Sequence, residues 1–188
     1  MCLALRIFQG EKVIHPLQIV SAVPIRTLDA KVVREAKRCL GAKNLLGGSS
    51  LSKGFDCSGL VFYVLSHCGL NPPKPPVSNQ ERFGEVVDWR PGKAFRFDKF
   101  IDLPNRPKVA QLRTGDRLIF ESHPGTSTIG DSYTGIFLGR ERVAGQVFGD
   151  VFIWSSHDPG VRKVVLGRLS DPRYWKDYRY ALRDSRKR

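Results

Sequence analysis

The sequence is poor in cysteine, histidine and acidic residues, and it has no long hydrophobic run. Its four cysteines, Cys2, Cys39, Cys57 and Cys68, are too few to make a dense disulfide framework in 188 residues. No two of them have the close spacing of zinc ligands, so neither a metal nor another cofactor is expected. The N-terminal apolar stretch is broken by Arg6 and then by Gln9-Gly10-Glu11-Lys12. It reads as neither a Sec signal peptide nor a membrane span, which leaves the cytoplasm or a dedicated export route. There are no internal repeats. The Gly47-Gly48-Ser49-Ser50 loop lacks the lysine and the spacing of a P-loop. No nucleic-acid motif is present, so that class rests on charge, on Arg186-Lys187-Arg188 and on the 89–100 segment alone.

Acidic residues are outnumbered: 18 Asp and Glu face 31 Lys and Arg, for a net charge of +13. Such a balance selects anionic partners, whether nucleic acid, acidic polymer or membrane surface. From Val161 onward ten Lys and Arg stand against three Asp, so much of the excess is local.

What is present centres on Gly54-Phe55-Asp56-Cys57-Ser58-Gly59-Leu60-Val61. Asp56 has the chemistry of a helix N-cap. Leu60, Val61, Val64, Leu65 and Cys68 then recur at spacings of three and four, and Gly69 stops the helix. A thiol in a helix's first turn meets unpaired N–H groups and the positive end of the dipole. Both favour thiolate, so Cys57 is expected to have a lowered pKa and to act as a nucleophile. The alternative is a small cysteine that merely packs.

Upstream, residues 3–8 and 13–20 read as a hairpin or irregular arm. Thr27 opens a helix whose apolar face is Val32, Val33, Ala36 and Leu40, ended by Gly41. Downstream, Asn71-Pro72-Pro73-Lys74-Pro75-Pro76 is an extended connector. Residues 88–110 interleave aromatics and bases and read as an inserted loop, a cover that turns its aromatics inward or a nucleic-acid contact. Beyond Gln111 the period becomes that of strands: 118–120, 136–139, 151–154 and 164–166, with turn signals between them. Helices first and an antiparallel meander after give an α+β fold.

Taken in order, these segments resemble the NlpC-type, papain-like cysteine peptidases that cut peptidoglycan stems. Asp56-Cys57-Ser58-Gly59-Leu60-Val61 resembles the nucleophile segment, and Gly47-Gly48 the paired glycines before it. Leu112-Arg113-Thr114-Gly115-Asp116 with Leu118-Ile119-Phe120 resembles the start of the sheet. Gly135-Ile136-Phe137-Leu138-Gly139 resembles the strand that opens with the catalytic histidine. Ser155-Ser156 through Gly160-Val161 and Tyr174-Trp175-Lys176 through Arg183 complete the series.

The resemblance implies N-terminal helices packed on a C-terminal antiparallel sheet. It implies an arm over 1–27, a domain over 28–183 interrupted at 88–110, and a basic tail at 184–188. It also implies attack by Cys57 on an amide carbonyl, with an imidazole holding the thiolate and a third polar group orienting the imidazole. Asp56 would receive a substrate amine, and Ser58 lies beside that subsite.

The sequence departs from the family at the chemistry. The histidine position holds Tyr133, the third polar position Trp154, and the substrate-contacting tyrosine position Asn44. Tyrosine, with its pKa near ~10, is a poor base at neutral pH, and an indole accepts no proton. Of the four histidines, His15 lies in the arm and His67 roughly 15 Å along the helix from Cys57. His123 and His157, at loop ends near the sheet, are the candidates for the missing imidazole.

Two functions follow. One is an amide hydrolase or acyltransferase with Cys57 and a relocated histidine, acting on a peptide or peptidoglycan-like substrate. The alternative to that first reading is a catalytically impaired module that binds an anionic cell-wall polymer or other anionic ligand; under either, Tyr133, Trp154, Asn44, Asp56 and Ser58 are the expected substrate-binding residues.

Overall fold

A computed structural model describes residues 27–81, 83–89, 92–96, 99–103, 112–121, 132–143 and 146–184. Residues 1–26 of the expected arm, with His15, as well as His123 and the last four residues, 185–188 with Arg186-Lys187-Arg188, lie outside the described residues.

Helix α1 runs Thr27–Arg38 and helix α2 runs Cys57–His67. Between them a short hairpin pairs β1 (Ser49–Ser50) with β2 (Gly54–Phe55). The one-turn helix α3, Val77–Gln80, follows the proline connector. Strands β3 (Glu85–Trp89), β6 (Arg117–Glu121), β7 (Ser132–Val143), β8 (Gln146–Ser155), β9 (Val164–Arg168) and β10 (Tyr178–Arg183) form one antiparallel sheet in the order β3-β10-β6-β7-β8-β9. A one-turn helix α4, Pro172–Trp175, precedes β10.

The expected meander is present as β6-β7-β8-β9, and α1 and α2 form where their periodicity placed them. Three corrections apply. The 88–110 segment is not one irregular loop: β3 joins the main sheet against β10, and β4 (Gly92–Arg96) pairs with β5 (Lys99–Leu103) as a hairpin. The sheet has six strands rather than four, because β3 and β10 extend it beyond β6. On α1 it is Cys39, not Leu40, that enters the core: Leu40 stays 39% exposed, whereas Val32, Ala36 and Cys39 are buried. Those three follow the i, i+4, i+7 stripe, and position 40 has already turned past it.

Alternate strand residues go to opposite faces of the sheet. Ile136, Leu138, Ile153 and Val164 pack against α1 and α2 with Leu60, Val61, Val64 and Leu65. Phe120, Tyr133, Phe137, Phe152, Trp154 and Tyr178 form a second, aromatic core, against which Tyr174 and Trp175 of α4 pack. Cys57, at the start of α2, packs against this aromatic core rather than the helix-side core. That position brings the expected nucleophile to the layer holding Tyr133 and Trp154.

Candidate active site

The turn that presents Cys57 is built on one carboxylate. Asp56 Oδ1 accepts from the Gly59 amide at 2.6 Å and from the Ser58 hydroxyl at 2.9 Å. Its Oδ2 accepts from the Gly47 amide at 2.9 Å. Asp56 therefore caps α2 and ties the glycine loop to it, while its own amide donates to the Gly48 carbonyl at 2.9 Å. Close approach explains the glycines. A Cβ on Gly59 would overlap the Gly48 carbonyl oxygen, and one on Gly48 would come within 2.6 Å of the Gly54 carbonyl oxygen.

Ser58 is buried and its hydroxyl is engaged by Asp56. Asn44 donates to Ser155 Oγ at 2.8 Å, and Ser155 donates to the Phe55 carbonyl at 2.7 Å. Asn44 thus ties the end of β8 to the lead-in of α2.

Cys57 is half-buried at the first position of α2, with backbone amides of Thr134, Ser58 and Cys57 itself near its sulfur. These amides favour thiolate, as the sequence led us to expect. Burial outweighs them and, with the neighbouring Asp56 carboxylate, pushes the thiol up to about 11. The expected lowering is not found, because a helix terminus offers only partial charges and no cationic imidazole among the described residues faces the sulfur.

Tyr133, which the resemblance aligns with the catalytic histidine, is committed to other contacts. Tyr133 donates to Asp177 Oδ2 at 3.2 Å, and its ring stacks on Phe120 with centroids 4.7 Å apart. Burial first, and then the Asp177 carboxylate, push its phenol well above the usual range. Trp154 lies 5.0 Å from Tyr133, centroid to centroid. Its buried indole N–H makes no hydrogen bond among the described residues. It still lies close enough to the Tyr174 hydroxyl to offset part of the burial that raises that phenol.

His157 is exposed, with its ring edge-on to Tyr133 at 6.4 Å and to Trp154 at 6.1 Å. It is the candidate imidazole that the structure brings to this wall. His67, at the far end of α2, is engaged with the Tyr63 carbonyl.

Two elements of the site escaped the sequence. Asp177 reaches Tyr133 across 44 residues. Gln80 donates to the Ser58 carbonyl at 2.9 Å, and buried Arg117 holds the Gln80 carbonyl and pairs with Asp184 at 2.6 Å. No local pattern announces either contact.

Against known proteins, no family model matches the sequence. The chain is 31% identical over 159 residues to the gamma-DL-glutamyl hydrolase of Bacillus subtilis (strain 168). That match covers 84% of the chain and 29% of the relative, so the chain spans under a third of the curated protein it resembles. Among solved structures it superposes with TM-score 0.60 on an NLP/P60-family protein similar to a lipoprotein from Staphylococcus aureus, at 18% identity over 92% of this chain and 46% of that one. It also superposes with TM-score 0.50 on the NlpC/p60 domain of the peptidoglycan hydrolase SagA, at 25% identity over 82% of this chain and 97% of that domain.

The chain belongs to the NlpC-type, papain-like family.

NlpC-type relatives of this chain include a peptidoglycan hydrolase and a glutamyl hydrolase, so the family is one of hydrolases. The α+β papain-like fold follows with it. In this chain the Asp56 carboxylate caps the cysteine turn and holds the glycine loop, and Tyr133 is hydrogen-bonded to the Asp177 carboxylate.

Proposed function

We propose that the domain binds a peptide of the γ-glutamyl, cell-wall type at the Cys57 cleft without cleaving it through a thiolate–imidazole pair. The carrying observation is the Tyr133–Asp177 hydrogen bond at 3.2 Å. It fills the family's histidine position with a donor that cannot take the thiol proton. Aromatic rings in place of a polar dyad favour stacking and apolar contact over proton transfer. The net charge of +13 suits a peptide carried on an anionic polymer. The glutamyl hydrolase relative supports the choice of γ-glutamyl peptides.

A second reading is an amide hydrolase or acyltransferase in which Cys57 works with His157 or His123. The edge contacts of His157 with Tyr133 and Trp154 favour it, since they bring an imidazole to the aromatic wall.

Calorimetric titration with γ-D-glutamyl peptides and soluble peptidoglycan fragments, alongside an assay for released amine, separates the two. The binding reading expects saturable, salt-sensitive binding that Cys57→Ala retains, with no amine released. Amine release that is lost in both Cys57→Ala and His157→Ala, or in Cys57→Ala and His123→Ala, establishes the hydrolase and overturns the first reading.

A further inference from the structure

Residues 40–55 and the turn at 161–163 make one face. The Asn44 amide donates to the Arg162 carbonyl at 2.9 Å, and Lys43 and Lys163 form an antiparallel bridge. The Leu45 amide donates to the Phe55 carbonyl at 3.0 Å, which sets the β1–β2 hairpin, with its turn through Leu51, Ser52 and Lys53, alongside. Of the six large apolar residues left exposed among the described residues, Leu40, Leu45, Leu46, Leu51 and Val161 belong to this face and only Phe83 does not. Single exposed apolar side chains are ordinary, but such a concentration marks a contact surface. Leu46, 94% exposed, buries almost nothing in its own chain.

The charges on these segments are cationic, with two acids at their border: Asp56, whose carboxylate holds the Gly47 amide, and exposed Asp158, whose carbonyl accepts from the Val161 and Arg162 amides. Lys43, Lys53, Arg162 and Lys163 are all exposed, and no Asp or Glu occurs in 40–55 or 159–170. Arg162 also has a φ of 35°, a left-handed conformation that non-glycine residues seldom adopt. Such positions persist where surrounding structure imposes them, and the Asn44 contact is part of that structure.

We propose that this face docks the domain on an anionic lipid bilayer. Leu45, Leu46 and Leu51 enter the boundary between headgroups and acyl chains, and the four cations meet lipid phosphates. Charge complementarity selects an anionic surface. The near-complete exposure of Leu46 on a glycine-flanked turn, rather than in a groove, suits a deformable layer more than a shaped protein partner. The docked loop is also the one Asp56 holds through Gly47 and Gly48, so binding here sets the Cys57 turn close to the membrane surface. This face adjoins the Cys57 cleft through Asn44 and the glycine loop, but the proposal does not rest on the peptide-binding reading, and its test contains no peptide.

The full chain is sedimented with phosphatidylcholine vesicles with and without phosphatidylglycerol. Binding is expected only with phosphatidylglycerol, falling about tenfold from low to physiological salt. Leu46→Glu should weaken it about tenfold with an unchanged urea midpoint, because the side chain is already in solvent. Lys43→Glu with Lys53→Glu should remove the preference for phosphatidylglycerol. Equal binding to neutral vesicles, absence of binding, or full binding by Leu46→Glu overturns the proposal. It is also overturned if the protein instead self-associates, or captures polyglutamate, through a contact that Leu46→Glu abolishes.

Discussion

Tyr133, near the start of β7, donates a hydrogen bond to Asp177 at 3.2 Å. The pair keeps the phenol protonated and turns the ring onto Phe120, away from any role as a base. It leaves a capped, well-ordered cysteine turn facing an aromatic wall. The chemistry of this domain turns on whether anything withdraws the proton from Cys57.

The first expectation concerns that proton directly. With the thiol pushed up to about 11, alkylation of Cys57 by iodoacetamide should be slow at neutrality and rise about tenfold per pH unit to beyond pH 9. Peptide mapping assigns the rate to Cys57. A plateau below pH 8 would show an ion-paired thiolate instead. Stability follows the same shift. Its contribution is full below about pH 9, where the unfolded thiol is also protonated, and is lost as pH rises through about 11. Urea midpoints across that window, compared with those of Cys57→Ala, measure it.

Tyr133→His puts an imidazole at the position that the resemblance aligns with the family's histidine. Alkylation of Cys57 at pH 7 should rise at least about tenfold, since an adjacent imidazolium favours thiolate. Tyr133→Phe should leave the alkylation rate unchanged and cost about 1 kcal/mol in urea denaturation, the worth of one lost hydrogen bond. Equal alkylation rates in the two variants would mean that position 133 does not face the sulfur.

Gly59→Ala tests the close approach of α2 to the glycine loop. The new methyl meets the Gly48 carbonyl and the Asp56 carboxylate, so the helix must move or the cap must break. A loss of about 2–3 kcal/mol is expected by urea denaturation. Ligand binding should weaken in the same variant, because Gly47, Ser58 and Gly59 share that carboxylate on either side of Cys57.

Asp184→Ala removes the 2.6 Å partner of a guanidinium that is fully buried. Arg117 keeps the carbonyls of Gln80 and Phe83, so the cost should be about 2 kcal/mol, below that of a wholly uncompensated charge. Because Gln80 holds the Ser58 carbonyl, hydrogen exchange at the start of α2 should quicken as well.

The legible parts of the fold were those specified by neighbours in sequence. Helix α2 announced itself through Asp56, the apolar spacing and Gly69, and β6 to β9 through alternation and turns. Strand β3, which only overlaps the start of the expected insertion, and the closing strand β10 were hidden, because β10 lies between β3 and β6 and pairs Tyr180 with Ile119 across the sheet. A strand whose partners are distant carries little local signature beyond its composition. The placement of Cys39 in place of Leu40 turned on where α1 ends, a boundary that packing sets.

By itself the sequence determined the α+β family, the cysteine at a capped helix start, and the absence of histidine at position 133. These depend on local caps, periodicity and residue identity. Only the tertiary structure decided what surrounds the sulfur. Burial against the aromatic core overrides the helix terminus, and Asp177, brought 44 residues back along the chain, holds the Tyr133 hydroxyl. A thiol's acidity is set by the whole shell of charges and solvent around it, and that shell exists only once the chain has folded.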